Sequence, residues 1–177
     1  MYWVFLYLTM LRLIFITSGC LWFTLATAVN LDSLWGAWND KTQPDTNRLK
    51  AMHSIAWDGY LFSQPDSAFY FAQIVHELAE ATGNKKYIAY ALNTQGVSFG
   101  IRGNYKEALN YFSKNLKIHK EIGDKEGMAS CYSNMGHIYR IQGNYDKALD
   151  YYYGCLDIYE EIGGNDGVAN CYSNIGT

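Results

Sequence analysis

The stretch CYSNMGHIYRIQGNYDKALDYYYGCLDIYEEIGGNDGVAN occupies residues 131–170, and the next seven residues, CYSNIGT, begin the same phrase again. Residues 91–130 match residues 131–170 at 15 of 40 positions, and residues 171–177 match residues 131–137 at 5 of 7. A more diverged copy precedes them. Self-similarity at a fixed period indicates a repeat architecture, in which each unit packs mainly against its neighbours.

Each 40-residue unit has the pattern of two helices. Residues 106–121 carry apolar side chains at steps of three and four, with lysines and glutamates on the other side, which predicts an amphipathic helix. Asn104 stands at the N-cap position with Glu107 three residues later, Gly123 suits a left-handed helix end, and Asp124 caps the next helix. We predict helices near residues 46–61, 65–82, 85–101, 105–121, 125–141, 145–161 and from 165 onward.

Glycine recurs at one position inside the predicted first helices, as Gly96, Gly136 and Gly176. A glycine inside a helix costs about 1 kcal/mol relative to alanine, so a repeated one predicts a neighbouring helix too close for a side chain. We expect Ala108 and Ala148 on the opposite side of that contact.

The same positions carry a family resemblance. Their residues are Tyr132, Met135, Gly136, Tyr139, Ala148 and Tyr152, and in the preceding copy Leu92, Gly96, Phe99, Ala108 and Phe112. This pattern of apolar, glycine, alanine and aromatic positions resembles the tetratricopeptide repeat. The 40-residue length and the Gly-Asn-Tyr-x-x-Ala-Leu turn are similar to the long-repeat subclass of G-protein-signalling modulators and bacterial sensor proteins.

The resemblance covers about residues 46–177 and implies an all-α fold, a right-handed α-solenoid of stacked antiparallel helix pairs. It predicts helix pairs near 46–83, 84–123 and 124–163, and a fourth that starts in 164–177. A lead-in of residues 29–45 precedes them, for which we predict no helix.

Polar residues on the first helix of each pair are the candidate binding groups, because these helices line the concave wall of a solenoid. The candidates for this groove are Asn93, Asn134, His137, Arg140 and Asn174. Asparagine can both donate to and accept from a peptide backbone, and Arg140 could bind a carboxylate through two hydrogen bonds. In the family that the chain resembles, an asparagine at the position of Asn134 and Asn174 often holds a peptide, and Thr94 departs from it. The alternative is that all are ordinary solvated side chains.

No catalytic or metal-binding pattern emerges from the residues. His76-Glu77-Leu78-Ala79-Glu80 lacks the second histidine of a zinc-protease helix. Cys131 and His137 are six residues apart, a spacing that does not put them on one helix face. The formal net charge is −3, with lysines scattered among acids, whereas nucleic-acid binding needs a basic face. We therefore expect a protein or peptide partner, and neither an enzyme, a cofactor, a metal nor a nucleic-acid ligand.

Residues 1–28 differ in composition from the rest, with Arg12 as the only charge. A basic start at residues 10–12, an apolar run over 13–25 and the small residues 26–28 predict a signal peptide cleaved after Ala28, with Met10 as the true start. The mature chain would have 13 basic and 17 acidic side chains, a net charge of −4, and lie in the periplasm or cell envelope. An uncleaved membrane anchor is the alternative, because the run is long enough to span a bilayer.

Cys155 and Cys171 lie eight residues either side of Gly163, which places them at the same height in an antiparallel helix hairpin. An exported protein could join them in a disulfide, and buried free thiols are the other interpretation.

The chain stops seven residues into a new unit without the polar capping helix that a solenoid needs, so we expect an N-terminal fragment of a longer protein. Two functions fit this architecture. One is a non-catalytic scaffold that binds a protein or peptide in its groove. The other is the N-terminal sensory region of a bacterial membrane signalling protein whose output domain, a histidine kinase, nucleotide cyclase or regulator, lies outside this chain.

Overall fold

The computed structural model describes residues 30–176, which are helical and contain no strand within that range. The predicted signal peptide or anchor, residues 1–28, lies outside the described residues. Eight α-helices follow one another along the described chain: α1 (Leu31–Asn39), α2 (Asp45–Ser54), α3 (Pro65–Ala81), α4 (Lys85–Ile101), α5 (Tyr105–Ile122), α6 (Lys125–Ile141), α7 (Tyr145–Ile162) and α8 (Asn165–Ile175). None of these helices is long and apolar enough to cross a membrane.

The predicted helices from residue 65 to residue 162 are confirmed to within one residue at each end. The prediction of one continuous helix over residues 46–61 is wrong, because α2 ends at Ser54 and a π-helical segment, Ile55–Tyr60, follows it. This wider turn occurs where α1 packs, since a Cβ atom on Gly59 would lie 2.8 Å from Cδ2 of Leu31. The lead-in, expected to be without a helix, contains α1.

The five turns between α3 and α8 share one backbone geometry. Glycines 83, 103, 123, 143 and 163 all have φ between +67° and +76°, the left-handed region that side chains disfavour. The amide after each glycine reaches back to close the helix, as in Asn104 N to Phe99 O at 2.9 Å and Asp124 N to His119 O at 3.0 Å. Helices α3 to α7 therefore end in Schellman-type caps, as predicted for Gly123.

The N-caps agree with the sequence in part. Asp124 Oδ1 accepts the backbone N–H of Gly127 at 2.9 Å, which confirms it as the cap of α6. Asn104 precedes α5 but makes no capping bond through its side chain. Glu107 instead accepts from Nδ2 of Asn110, so the reciprocal capping that the Asn104–Glu107 spacing predicts does not form.

In the α4–α5 and α6–α7 pairs, a glycine of the first helix packs against an aromatic ring of the second. A Cβ atom on Gly96 would lie 2.6 Å from the ring of Phe112, and one on Gly136 would lie 2.5 Å from the ring of Tyr152. The predicted close approach is therefore confirmed at both glycines, whereas Gly176 has no ring within 4 Å in the described chain.

The predicted partners of these glycines need correction, because the opposing groups are rings rather than Ala108 and Ala148. Ala108 lies one helical turn away, its Cβ 4.0 Å from where a Cβ on Gly100 would stand. A flat ring fills the depression left by a missing side chain better than a methyl group does, because it brings more atoms into van der Waals contact.

Contacts between successive pairs use a second set of small residues. A Cβ on Gly127 would lie 2.0 Å from Nδ1 of His119, and one on Gly167 would lie 2.2 Å from the ring of Tyr159. One repeat earlier, the small and the large residue of this contact exchange places. Ala79 occupies the position equivalent to His119, and Tyr87 occupies the position equivalent to Gly127. Tyr87 packs against the buried cluster that contains Ala79. We call this exchange the size swap.

The core is distributed along the chain. One buried cluster centres on Leu49, Met52 and Ile55, a second on Ala108 and Phe112, and a third on residues of α6, α7 and α8. Helix α1 packs against the first cluster through Leu31, Leu34, Trp35 and Trp38, and the ring of Trp35 meets Phe71 edge-on at 5.4 Å. This succession is the arrangement of a solenoid, in which each unit contacts only its neighbours.

Candidate functional site

The candidate site is the groove between α4 and α6, the first helices of two successive pairs, with α5 behind them. Two cavities open along this groove. The polar pocket, of about 330 Å³, is lined chiefly by Tyr90, Asn93, Asn115, His119, Asp124 and Glu126. The apolar pocket, of about 210 Å³, is lined chiefly by Val97, Ile101, Phe112, Asn134, Ile138 and Ile141.

The polar pocket contains a buried amide. Asn115 is only 2% exposed, and its Oδ1 has no hydrogen-bond partner among residues 30–176. His119 is also buried, and its Nδ1 lies 3.0 Å from Oδ2 of Asp124. Glu126 stands at the exposed rim. Buried polar atoms in proteins are nearly always hydrogen-bonded, so the orphaned oxygen of Asn115 marks this cavity as unusual.

The apolar pocket has isoleucines at its mouth. Ile141 is 57% exposed at the last residue of α6, and Ile101 stands at the corresponding end of α4. The close approach of Gly100 and Ile138 narrows the pocket, since a Cβ on the glycine would lie 3.2 Å from the isoleucine. Aliphatic side chains left partly exposed around a concavity can bury an apolar group of a partner.

Two of the predicted site residues meet between the pockets. Nδ2 of Asn134 donates to Oδ1 of Asn93 at 2.9 Å, across the groove from α6 to α4. Asn93 lines the polar pocket and Asn134 the apolar one, so this Asn93–Asn134 pair lies where the two cavities adjoin. Thr94 is buried and donates through its hydroxyl to the carbonyl of Tyr90 at 3.0 Å, so it does not extend the pair.

A profile of the tetratricopeptide repeat family matches residues 87–161 and 127–177, which together make up more than half of the chain. The chain belongs to the tetratricopeptide repeat family. No curated protein sequence matches it.

Solved structures show the same fold for this tetratricopeptide repeat chain. The tetratricopeptide repeat domain of Arabidopsis FLU is 24% identical with a TM-score of 0.60, over 67% of this chain and 99% of that domain. Aspartyl phosphate phosphatase F from Bacillus subtilis is 17% identical with a TM-score of 0.74, over 89% of this chain and 42% of that protein.

A third structure is a signal-transduction ATPase with numerous domains (STAND protein) with a tetratricopeptide repeat sensor, from Pyrococcus horikoshii. It is 21% identical with a TM-score of 0.66, and the match covers 77% of this chain and 21% of that protein. The chain therefore spans less than half of the length of these last two proteins.

Two further predicted site residues, His137 and Arg140, lie on α6 close to Tyr152. Nδ1 of His137 is 3.1 Å from the Tyr152 hydroxyl, and His137 also lines the apolar pocket. Burial, followed by the charge of Arg140, lowers the pKa of His137. Arg140 lines neither pocket, and its Nε is buried without a partner in the described chain. Asn174 lies on α8, one unit further along, and lines neither pocket.

Within residues 30–176, the tetratricopeptide repeat scaffold holds three buried cysteines, all free thiols. Sγ of Cys171 lies 2.9 Å from Sγ of Cys155, so the two side chains meet as their spacing predicted. Burial raises the pKa of Cys131 to about 12 and also raises that of Cys155. Thiols held protonated in this way are poor nucleophiles and poor metal ligands. Within residues 30–176, no cluster of three potential metal ligands occurs.

Sequence reasoning did not find the polar pocket, because its central residues come from the second helix α5 and from the start of α6. A comparison of equivalent positions in the repeats could have indicated the pocket. Positions 75, 115 and 155 are equivalent and carry Val, Asn and Cys, so a carboxamide replaces a less polar residue in one unit.

Proposed function

We propose that this tetratricopeptide repeat chain is a non-catalytic scaffold that binds an extended segment of a protein partner in the groove between α4 and α6. The observation that carries the proposal is the Asn93–Asn134 pair, which presents carboxamides between a polar and an apolar pocket. Their mutual bond uses one N–H of Asn134 and one lone pair of Asn93. The remaining donors and acceptors of the two amides can bond to a peptide backbone.

The apolar pocket then takes an aliphatic or aromatic side chain of the same segment. Burying the exposed isoleucines against such a side chain is favourable by about 25 cal/mol per Å² of apolar surface removed from water. A bound backbone and one anchoring side chain together fix both the position and the direction of the segment.

Selection of peptides tests this proposal directly. The full chain, immobilised, is used to select from a displayed library of random octapeptides, and the enriched sequences are read. We expect enrichment of sequences with one apolar anchor, and we expect Ile141→Glu to abolish it because a carboxylate would stand at the mouth of the apolar pocket.

Ile122→Glu is the matched control, since Ile122 is an exposed isoleucine at the last residue of a helix, α5, and lines neither pocket. Equal enrichment by wild type and Ile141→Glu, or no enrichment at all, would contradict the proposal.

A sensory role in a bacterial membrane signalling protein is the second proposal. The tetratricopeptide repeats of the Pyrococcus horikoshii ATPase are described as its sensor, and the apolar residues 1–28 suit export or anchoring in an envelope. Sequencing the gene on both sides of the codons for residues 1–177 tests this proposal. An apolar span of about 20 residues followed by a catalytic domain would support it, whereas further repeats and a stop codon would contradict it.

A further inference from the structure

We propose that the polar pocket binds the side chain of an arginine or lysine in the partner segment. The inference rests on the proposed function, because the pocket lies in the same groove as the Asn93–Asn134 pair. It goes further than the proposed function because it names the residues that a partner segment must carry, which are a basic residue next to an apolar anchor.

The first support is the orphaned amide of Asn115. Its Oδ1 is buried and lacks a partner in the described chain, and the side chain lines the cavity. A buried acceptor without a hydrogen bond destabilises the free protein, and a donor brought by a ligand removes that cost. Guanidinium and ammonium groups carry only donors, so they match this acceptor.

The second support is the charge of the lining. Asp124 and Glu126 both line the pocket, and no lysine or arginine of residues 30–176 does so. The two oxygens of Asp124 are occupied, one by the N–H of Gly127 and the other by His119. Asp124 therefore contributes its charge, and Glu126 is left to contact a ligand.

Glu126 forms no ion pair within residues 30–176, in contrast to Glu121 and Glu161. Glu121 pairs with Lys85 and Glu161 pairs with Lys125, at the same register one repeat apart. Within the described chain, Glu126 has no cation within 4.0 Å. A carboxylate at the mouth of a cavity without a cation of its own favours a cationic ligand electrostatically.

The third support is aromatic. Tyr90 and Tyr159 both contribute to the walls of the pocket, and the faces of aromatic rings attract cations. The ring of Tyr90 is already contacted by Lys86, 5.7 Å from its centre, and by His53, which stacks on it at 5.0 Å, so Tyr159 is the ring left for a ligand cation. A volume of about 330 Å³ suits a single long side chain rather than a folded element.

The repeat register supplies variants that keep the fold. Asn115→Val introduces the residue found at position 75, and Ser130→Tyr introduces the residue found at position 90. The first removes the amide, and the second fills the cavity from its rim. Glu126→Gln removes one exposed charge, and Asp166→Asn is its matched control at the same register one repeat later.

The experiment uses the full chain and an octapeptide selected from the random library, synthesised with arginine and, separately, with the neutral isostere citrulline at the basic position. We expect the citrulline peptide to bind about tenfold more weakly, the loss of one charge-assisted hydrogen bond. We expect Asn115→Val, Ser130→Tyr and Glu126→Gln each to abolish this preference for arginine, and Asp166→Asn to retain it. Asn115→Val should have a Tm equal to or above that of wild type, which shows that lost binding is not lost folding.

Three outcomes would overturn the inference. Peptides could be enriched through the apolar pocket without a basic residue, in which case the proposed function stands and the inference fails. Arginine could be preferred equally by wild type, Asn115→Val and Glu126→Gln, in which case the basic residue binds elsewhere. If no peptide is enriched, the proposed function and the inference fail together.

Discussion

At the scale of single residues, the solenoid depends on pairing absent side chains with large ones. Gly136 is the sharpest case, since the ring that lies over it belongs to Tyr152, which is 1% exposed. Because the ring is enclosed by neighbours, it cannot swing aside when a methyl group is added. The same arrangement holds for Gly96 and Phe112 in the preceding pair.

Gly136→Ala is therefore expected to destabilise the chain although alanine is the better helix former. The propensity gain of about 1 kcal/mol is outweighed by a steric cost of about 1–3 kcal/mol for overpacking. Urea denaturation should show a lower free energy of unfolding.

Gly36→Ala in α1 is the control, because no atom lies within 4 Å of the added Cβ. We expect this variant to be more stable by up to about 1 kcal/mol. A Gly136→Ala protein as stable as Gly36→Ala would show that the ring is free to move.

The three thiols should be inert in the folded chain. Burial keeps Cys131, Cys155 and Cys171 away from solvent and raises the pKa of the first two, so little thiolate is present at pH 8. In a Cys20→Ser background, which removes the fourth cysteine of the sequence, a colorimetric thiol reagent should label none of the three in buffer and all three in 6 M guanidinium. Rapid labelling of the native protein, or a missing pair of thiols after denaturation, would contradict the free, buried state.

Sequence periodicity could identify which positions are equivalent but not which residues touch. It placed glycines against a close neighbour, yet it could not choose between Ala108 and Phe112 as that neighbour, because both recur with the same period. The Asn93–Asn134 contact joins residues 41 apart, one more than the period, so no comparison of equivalent positions reveals it. The polar residues of the first helices could thus be named from the sequence, and the bond between two of them could not.

At the scale of elements, helix boundaries were predictable because caps and turns are local. A left-handed glycine ends a helix through contacts with its own last turn, and these depend only on nearby residues. The departures, α1 and the π-helical segment, depend on each other, since Leu31 packs where Gly59 lacks a side chain. An element whose shape depends on a distant partner cannot be derived from its own residues.

Substitution of a turn glycine should lower stability by an amount set by backbone conformation alone. Gly143 has φ +73° and no atom within 4 Å of an added Cβ, so packing does not enter. Gly143→Ala should reduce the free energy of unfolding by about 1–2 kcal/mol, measured by urea denaturation. Gly143→Asn should cost less, because asparagine tolerates the left-handed region better. Equal costs for alanine and asparagine would point to a cause other than φ.

At the scale of the whole molecule, stability should depend on pH through two partly buried histidines, His53 and His137. Burial is the largest cause that lowers the pKa of His53 and His137 below 6.5. As pH falls below 6.5, the unfolded chain binds protons that the folded chain does not, so the free energy of unfolding decreases. Above that pH both states are neutral at these residues and the contribution is constant.

Urea midpoints at pH 7.5 and pH 5.5 measure this effect, in a window above the titration of the carboxylates. The midpoint should be lower at pH 5.5, and the double variant His53→Gln, His137→Gln should show a smaller difference. A double variant with the same pH dependence as wild type would assign the effect to other groups.

The size swap has a consequence for how such a gene can change in length. Deletion of one repeat, residues 124–163, would place the large side chain of His119 against Gly167. This contact is equivalent to the present one between His119 and Gly127. Loss of residues 84–123 would instead bring Ala79 against Gly127, small against small, and leave a void between adjoining helices. Recombination between the copies can therefore add or delete units beyond the second pair at little structural cost. The contact between the first and second pairs does not allow such a deletion, because its large and small residues are exchanged.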